Sequence, residues 1–195
     1  QTLRQIAEFS PKSQLHCGEI IDAPAFKFRG YMDDIGRNFR TIDQLKKVID
    51  LMSRYKLNVF HAHLTDYPAW RLESKAYPKL TAPETRYPTR LPKRGYTQAE
   101  MRELVVYAAA RHVEIIPEMD MPGHSTYFKR ATGVDMQTEK GVEILKTQIA
   151  EWAKIFPSQY FHIGSDEVRI RMKSFIPSMV AAVRSHGKTV VQWYK

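Results

Sequence analysis

FHIGSDEV, residues 161–168, decides the fold prediction because it sets two adjacent acids at the end of a strand-like run. Successive side chains of a strand point to opposite faces of the sheet. Asp166 and Glu167 can therefore face one pocket only if the chain leaves the ladder at this point. We expect the small residues Gly164 and Ser165 to permit that bend. The alternative is an ordinary strand end that carries two solvated acids.

Strand-like and helical runs alternate along the whole chain around this stretch. The predicted strands cover residues 25–35, 57–64, 113–121, 159–166 and 189–194, and the predicted helices cover about 41–55, 97–111, 139–156 and 177–186. Capping boxes, Thr41 with Gln44 and Thr97 with Glu100, mark the starts of the first two helices. Residues 66–95 carry five prolines and are predicted to be an insertion. This alternation predicts parallel strands joined by right-handed crossovers.

Two parallel architectures compete, an open doubly wound sheet and a (β/α)8 barrel. No glycine-rich nucleotide-binding motif follows any strand, so no nucleotide cofactor is predicted. Polar or aromatic candidates follow each strand end, which is the barrel pattern; they are Arg37, Asp66, His124, Asp166, Glu167 and Trp193. Eight such units need roughly 300 residues. We therefore predict an α/β fold, an incomplete (β/α)8 TIM barrel of about five strands and four helices, and expect the natural protein to continue past Lys195.

The composition indicates one globular domain and excludes several classes of protein. The 195 residues are 43% hydrophobic, enough to bury a core, and no apolar run approaches the length of a membrane span. The net charge is +9, but the basic residues are scattered without a block of five like charges, so no nucleic-acid partner is predicted. Cys17 is the only cysteine, which excludes an internal disulfide and a cysteine-based zinc site.

Four segments in series resemble the motifs of glycoside hydrolase family 20, the β-N-acetylhexosaminidases. They are FRGYMDDIGRNF (28–39), KLNVFHAHLTD (56–66), GYTQAEMRELVVYAAARHVEIIPEMDMPGHS (95–125) and FHIGSDEV. The resemblance runs from about Asp22 to Tyr194 in the family's order and nearly at its spacing. It implies that residues 22–195 are the N-terminal part of the catalytic barrel. Residues 1–21 resemble the end of the small α/β domain that precedes the barrel.

The resemblance implies a retaining, exo-acting hydrolase that removes terminal β-linked N-acetylglucosamine or N-acetylgalactosamine from a glycan. In this family the 2-acetamido oxygen of the substrate attacks the anomeric carbon, so neither acid is a covalent nucleophile. Glu167 would be the general acid, and later the base that activates water. Asp166 would orient the acetamido group and stabilise the positive charge that develops on it. No metal or cofactor is implied, and the family favours an extracytoplasmic location (periplasmic, secreted or lysosomal).

The same resemblance implies roles for four residues outside the acid pair. Arg37 would hydrogen-bond hydroxyls of the terminal sugar, a task that suits its fork of donors. Asp66 and His124 would form a supporting pair that holds the surroundings of the general acid. Trp193 would be one of the aromatic walls against which the N-acetyl group or the sugar face packs.

Three positions depart from the family pattern. Ala62 stands where the family often has Trp, Tyr67 where a second acid is common, and Ser165 where the family has Gly. The family's later strands supply a Tyr, an Asp and further Trp residues that have no counterpart in this sequence. A non-catalytic sugar-binding relative therefore stays open as an alternative.

A second alternative is a metal-dependent barrel hydrolase. His61 and His63 form a His-x-His pattern whose members should share one side of a strand, and imidazole and carboxylate groups are common ligands of hydrolytic metal sites. The further candidate ligands are His124, His162 and Asp166. The motif series fits the glycosidase better than it fits this class.

Overall fold

A computed structural model describes residues 1–10, 17–85 and 94–193. In chain order its elements are α1 (Thr2–Phe9), β1 (Gly30–Asp34), α2 (Ile42–Arg54), β2 (Val59–His63), β3 (Thr65–Asp66), β4 (Ala69–Trp70), α3 (Gln98–Ala109), β5 (Glu114–Glu118), α4 (Thr126–Thr132), α5 (Glu139–Ala153), β6 (Tyr160–His162), α6 (Phe175–Arg184) and β7 (Thr189–Val191). Two short 3-10 helices, Pro78–Leu80 and Pro83–Thr85, lie in the insertion.

Five strands form one parallel sheet in the order β1-β2-β5-β6-β7. Each strand therefore pairs with the next strand of the sheet along the chain, and the order never reverses. A doubly wound sheet reverses its strand order at a switch point, whereas a barrel adds every strand on the same side. The prediction of an incomplete (β/α)8 barrel is confirmed, and the doubly wound alternative is wrong.

The structure differs from the sequence prediction mainly at element ends. All five strands of the sheet are shorter than predicted. The structure also contains three elements that were not predicted, which are the helices α1 and α4 and the antiparallel β3–β4 hairpin. The predicted strand 25–35 begins only at Gly30, because Phe26 and Phe28 project into solvent. α6 begins two residues earlier than predicted. Pro177 then lies in its first turn, where the missing N–H breaks no helical hydrogen bond.

Both predicted capping boxes are present. The Thr41 side chain accepts from the backbone N–H of Gln44, and the Gln44 side chain accepts from the backbone N–H of Thr41. Thr97 and Glu100 make the same reciprocal pair at the start of α3. These local contacts fix where α2 and α3 begin.

Aromatic side chains fill the core between the sheet and the helices. The indole rings of Trp70 and Trp152 meet edge to face with centroids 5.3 Å apart, and both side chains are fully buried. The ring centroid of Phe161, in β6, lies 6.1 Å from that of Trp152, in α5. This contact packs the strand before the acid pair against α5. Such aromatic contacts stabilise a core beyond the area they bury.

The N-terminal helix α1 contacts the C-terminal end of α2. No residue of α1 is buried, and Gln5 Nε2 donates a hydrogen bond to the carbonyl of Arg54 at 2.8 Å. The division of the chain at residue 21 stays a prediction. Among the described helices, none is long and apolar enough to cross a membrane.

Candidate active site

The chain leaves the sheet directly before the acid pair. β6 ends at His162, and Gly164, Ser165 and Glu167 have φ angles of 66°, 81° and 50°. Three left-handed residues within four positions turn the backbone out of the ladder. The predicted bend at Gly164 and Ser165 is therefore confirmed.

Glycine is required at position 164 because of its positive φ angle and because a neighbouring side chain leaves no room for a Cβ atom. A Cβ at this position would lie 1.9 Å from Oδ1 of Asp120. The backbone N–H of Ser165 donates to the same oxygen at 3.3 Å. The bend after β6 thus rests against a carboxylate that follows β5.

We expect Gly164→Ala to lower the free energy of unfolding by about 1–3 kcal/mol, because a left-handed residue other than glycine is strained. The added methyl group would also displace Asp120. Chemical denaturation measures this, with Gly187→Ala as the matched control. Gly187 has a φ of 72° and open space around it, so it tests conformation without the contact. An equal loss in both variants would contradict a role for the Asp120 contact.

Asp120, His124 and Glu167 form a continuous chain of polar contacts. His124 Nδ1 lies 2.7 Å from Oδ2 of Asp120, and His124 Nε2 lies 3.2 Å from Oε2 of Glu167. Asp120 is buried, whereas the Glu167 side chain is 74% exposed. The imidazole therefore links a buried carboxylate to a carboxyl group that is open to a ligand.

The charge of His124 follows from its two neighbours. The hydrogen bond to Asp120 outweighs partial burial and raises the pKa of His124 to about 9. Burial raises the pKa of Asp120. A cationic His124 carries a proton on each ring nitrogen, so it can donate to Asp120 and to Glu167 at the same time.

A second polar network lies below the strand ends and centres on Glu118, which is fully buried. Its Oε2 lies 2.7 Å from His61 Nε2 and 2.8 Å from His63 Nδ1. Its Oε1 lies 3.2 Å from His162 Nδ1 and accepts a hydrogen bond from Trp193 Nε1 at 2.9 Å. Burial alone would raise the pKa of Glu118, but the three imidazoles outweigh it and hold the pKa well below its usual range.

His63 connects this network to Asp66 and Arg37. The Nε2 atom of His63 lies 3.0 Å from Oδ2 of Asp66, and Arg37 Nη2 lies 2.8 Å from the same oxygen. Burial disfavours a charged imidazole, but the contacts to Asp66 and Glu118 prevail and raise the pKa of His63 to about 10. Arg37 also pairs with Asp34 at 3.0 Å and keeps 37% of its side chain exposed.

These shifts predict that stability falls in the alkaline range. A histidine whose pKa is raised from 6.5 to about 10 stabilises the fold fully below pH 6.5, and this contribution is lost as the pH rises towards 10. We expect the free energy of unfolding to fall as the pH is raised from 6.5 to 10. The fall should be smaller in His63→Gln, which lacks the titrating imidazole, than in His186→Gln. His186 is exposed and serves as the control. Denaturation with urea at both pH values measures the difference, and equal falls would contradict a cationic His63.

Trp193 lies over the imidazoles of the Glu118 network. Its ring centroid is 4.7 Å from that of His162 and 5.5 Å from that of His61. With its N–H bound to Glu118, the indole is held in one orientation beside the strand ends. This orientation is compatible with the predicted role of Trp193 as a wall of the site, which stays a prediction.

The structure brings the predicted site residues to one end of the sheet. Asp66 contacts His63, Arg37 and the backbone N–H of Tyr67, and His124 contacts Asp120 and Glu167. The role of Asp66 and His124 as a supporting pair for the general acid stays a prediction. The three ligand-type atoms of Asp66, Asp120 and His124 lie within 4.8 Å of one another. The sequence reasoning missed Glu118 and Asp120. These two acids stand at alternate positions in PEMD (117–120), at the end of a predicted strand, and this spacing was a signal that both side chains point to the same side.

Among the described residues, the candidate ligands of the metal alternative are divided between three groups of ligand-type side chains, and Asp166 belongs to none of them. His61 and His63 share one side of β2, as expected, and both point at Oε2 of Glu118. The backbone N–H of Gly164 lies 3.0 Å from Nδ1 of His162, the same nitrogen that lies 3.2 Å from Oε1 of Glu118. His61, Glu118 and His162 have the ligand atoms and the spacing of a metal site, so the metal alternative stays a hypothesis that metal analysis of the protein would test.

Asp166 and a cleft beside Glu167 complete the site. Asp166 Oδ1 is buried and has no hydrogen-bond partner in the part of the chain that the structure describes. A buried carboxylate oxygen without a partner is costly, so a ligand group that donates to it would bind favourably. Glu167 and His124 line a cleft of about 660 Å³ between the segment after β6 and the region of α4.

The sequential parallel sheet with its acids after β6 defines part of a (β/α)8 barrel of the glycoside hydrolase class. The family model "Glycosyl hydrolase family 20, catalytic domain" matches residues 26–133. The chain therefore belongs to glycosyl hydrolase family 20.

Relatives in sequence and in structure agree with this assignment. A beta-hexosaminidase of Porphyromonas gingivalis is 33% identical over 90% of this chain and 29% of its own length. One of Akkermansia muciniphila is 32% identical over 100% of this chain and 50% of its own length. The structure of the GH20 beta-N-acetylhexosaminidase from Streptomyces coelicolor A3(2) matches 88% of this chain and 40% of that chain, with a TM-score of 0.81 and 30% identity. The chain thus spans half or less of the length of these relatives.

Proposed function

We propose that the protein containing this chain is a retaining, exo-acting β-N-acetylhexosaminidase that uses the 2-acetamido group of its substrate. One observation carries the proposal. Glu167 is exposed and contacts a histidine anchored by a buried aspartate, while the adjacent Asp166 holds a buried oxygen without a partner among the described residues. Two neighbouring carboxyl groups in such different surroundings suit two different tasks.

In the first step the acetamido oxygen of the substrate attacks the anomeric carbon, and the bond from that carbon to the glycosidic oxygen breaks. The proton of Glu167 passes to the departing oxygen. His124, cationic and 3.2 Å from Oε2, stabilises the carboxylate that Glu167 then becomes. The Asp166 carboxylate, whose Oδ1 has no partner among the described residues, accepts from the acetamido N–H and stabilises the positive charge of the oxazolinium intermediate.

In the second step Glu167 takes a proton from water, which attacks the anomeric carbon and opens the oxazolinium ring. The configuration at that carbon is retained because it is displaced twice. Arg37, with part of its guanidinium exposed above Asp66, is the group we propose for sugar hydroxyls. Trp193, fixed by Glu118, is the proposed apolar wall for the N-acetyl methyl group.

Two aryl glycosides test this proposal in the longest natural polypeptide that contains the sequence. We expect cleavage of the aryl β-N-acetylglucosaminide and none of the plain β-glucoside, which lacks the attacking oxygen. Equal cleavage of both would contradict the acetamido mechanism. Cleavage of neither, with binding of N-acetylglucosamine retained, would favour the non-catalytic sugar-binding relative.

A further inference from the structure

The cleft beside Glu167 has basic residues on its walls that the proposed chemistry does not use. Lys129 of α4 and two residues of the segment after β6, Arg169 and Arg171, line it together with Asp135. All three basic side chains are exposed. They outnumber the acids on the same walls, which are Asp135 and Glu167.

Among the described residues, one of the three basic groups, Arg171, forms an ion pair. Arg171 Nη2 lies 2.6 Å from Oδ2 of Asp135. Burial opposes ionisation of Asp135, but the backbone N–H of Gln137, the Arg171 pair and the charge of Lys129 together lower the pKa of Asp135. Lys129 and Arg169 form no ion pair with any residue in the described ranges. Besides Asp135, the acid on the cleft wall is Glu167, so three basic residues face two acids. The cleft therefore keeps an excess of positive charge.

The backbone that carries these charges is held in place. Gln137, before α5, donates from Nε2 to the carbonyl of Arg169 at 3.1 Å. Its Oε1 accepts from the backbone N–H groups of Arg171 and Met172, at 2.5 and 3.3 Å. One side chain thus binds three backbone groups of the segment after β6. The basic residues stand on a fixed wall, which reduces the entropy lost when a ligand binds.

The location of the cleft relative to Glu167 identifies the part of a substrate that would enter it. The general acid must reach the oxygen that joins the terminal sugar to the rest of the glycan. Arg37, proposed for the terminal sugar, does not line this cleft, whereas Glu167 and His124 do. The group beyond the scissile bond therefore passes over Glu167 towards Lys129 and Arg169.

We propose that this cleft is the subsite for the sugar next to the scissile bond, and that it selects a sugar carrying an anionic group, a carboxylate or a sulfate. The inference rests on the proposed hydrolase function and adds the class of substrate to it. Exposed charges of this kind act chiefly through selectivity and are screened by salt.

Three disaccharides matched except for charge test the inference in the longest natural polypeptide that contains the sequence. Each has N-acetylglucosamine β1,4-linked to a second sugar, which is glucose, glucuronic acid or glucose 6-sulfate. We expect kcat/KM for at least one anionic disaccharide to exceed that for the neutral one by ~3-fold or more at low ionic strength. The advantage should shrink towards unity in about 0.5 M NaCl, where the Debye length is only a few ångströms. The two anionic arms show whether a carboxylate or a sulfate is preferred.

Two variants assign the effect to the cleft. We expect Arg169→Gln and Lys129→Gln each to lower kcat/KM for the preferred anionic disaccharide by ~2–5-fold and to leave the neutral one unchanged. Arg130→Gln is the matched control, because Arg130 follows Lys129 on α4, binds the carbonyl of Glu84 and does not line the cleft. An equal loss in the control would show a general effect of net charge and overturn the inference.

Cleavage and binding of the three disaccharides together distinguish failure of this inference from failure of the proposed function. If the neutral disaccharide is cleaved and neither anionic one is preferred, the hydrolase proposal stands and the anionic subsite is wrong. If none is cleaved, calorimetry with the same three disaccharides decides. Tighter binding of an anionic one, lost in Arg169→Gln, would keep the subsite without the hydrolase, and equal binding of all three would overturn it.

Discussion

Glu167→Gln is expected to lower kcat/KM for a phenyl β-N-acetylglucosaminide by ~10²–10⁴-fold, because the amide cannot donate a proton to the leaving oxygen. The fold should be unaffected, since the Glu167 side chain is 74% exposed. The loss should be far smaller for the 2,4-dinitrophenyl glycoside, whose leaving group departs without a proton. Steady-state kinetics on both substrates measures this contrast.

The contrast separates a general acid from a residue that only shapes the site. A structural role would reduce cleavage of both aryl glycosides by the same factor. Glu103→Gln is a suitable control, because Glu103 is an exposed acid that pairs with Lys46 on the outer helices. An equal loss on both substrates in Glu167→Gln would contradict the role proposed for this residue.

Glu118→Gln is expected to lower the free energy of unfolding at pH 7 by about 3–5 kcal/mol, the usual cost of breaking a buried ion pair from one side. The amide would leave His63 without one of its two carboxylate partners. It would also offer an N–H group to a cluster of imidazoles and an indole N–H that need acceptors. Urea denaturation at pH 7 measures the loss.

Glu114→Gln is the matched control for this variant. Glu114 lies at the other end of the same strand, is only partly buried and accepts a hydrogen bond from Ser158 Oγ at 2.6 Å. We expect its loss to stay near about 1 kcal/mol, the contribution of one ordinary hydrogen bond. Similar losses in the two variants would show that the imidazole network adds nothing beyond a single contact.

Local sequence determined the parts of the fold that depend on neighbouring residues. The alternation of strand and helix periods, the two capping boxes and the small residues before Asp166 all act within a few positions of the chain. They were sufficient to predict the parallel order of the sheet and the bend after β6. Element ends were less predictable, because pairing with a neighbouring strand decides where a ladder stops. The exposed Phe26 and Phe28 illustrate this.

Only the tertiary structure decided how the site is held together, because its contacts join distant positions. His124 and Glu167 are 43 residues apart, and Glu118 and Trp193 are 75 residues apart. The sequence shows that these residues are acids, imidazoles and an indole, but the choice of partner depends on which strand ends lie side by side. That choice made Asp120 the partner of His124, buried Glu118 among three histidines, and placed Lys129 and Arg169 on the wall of the cleft beside Glu167.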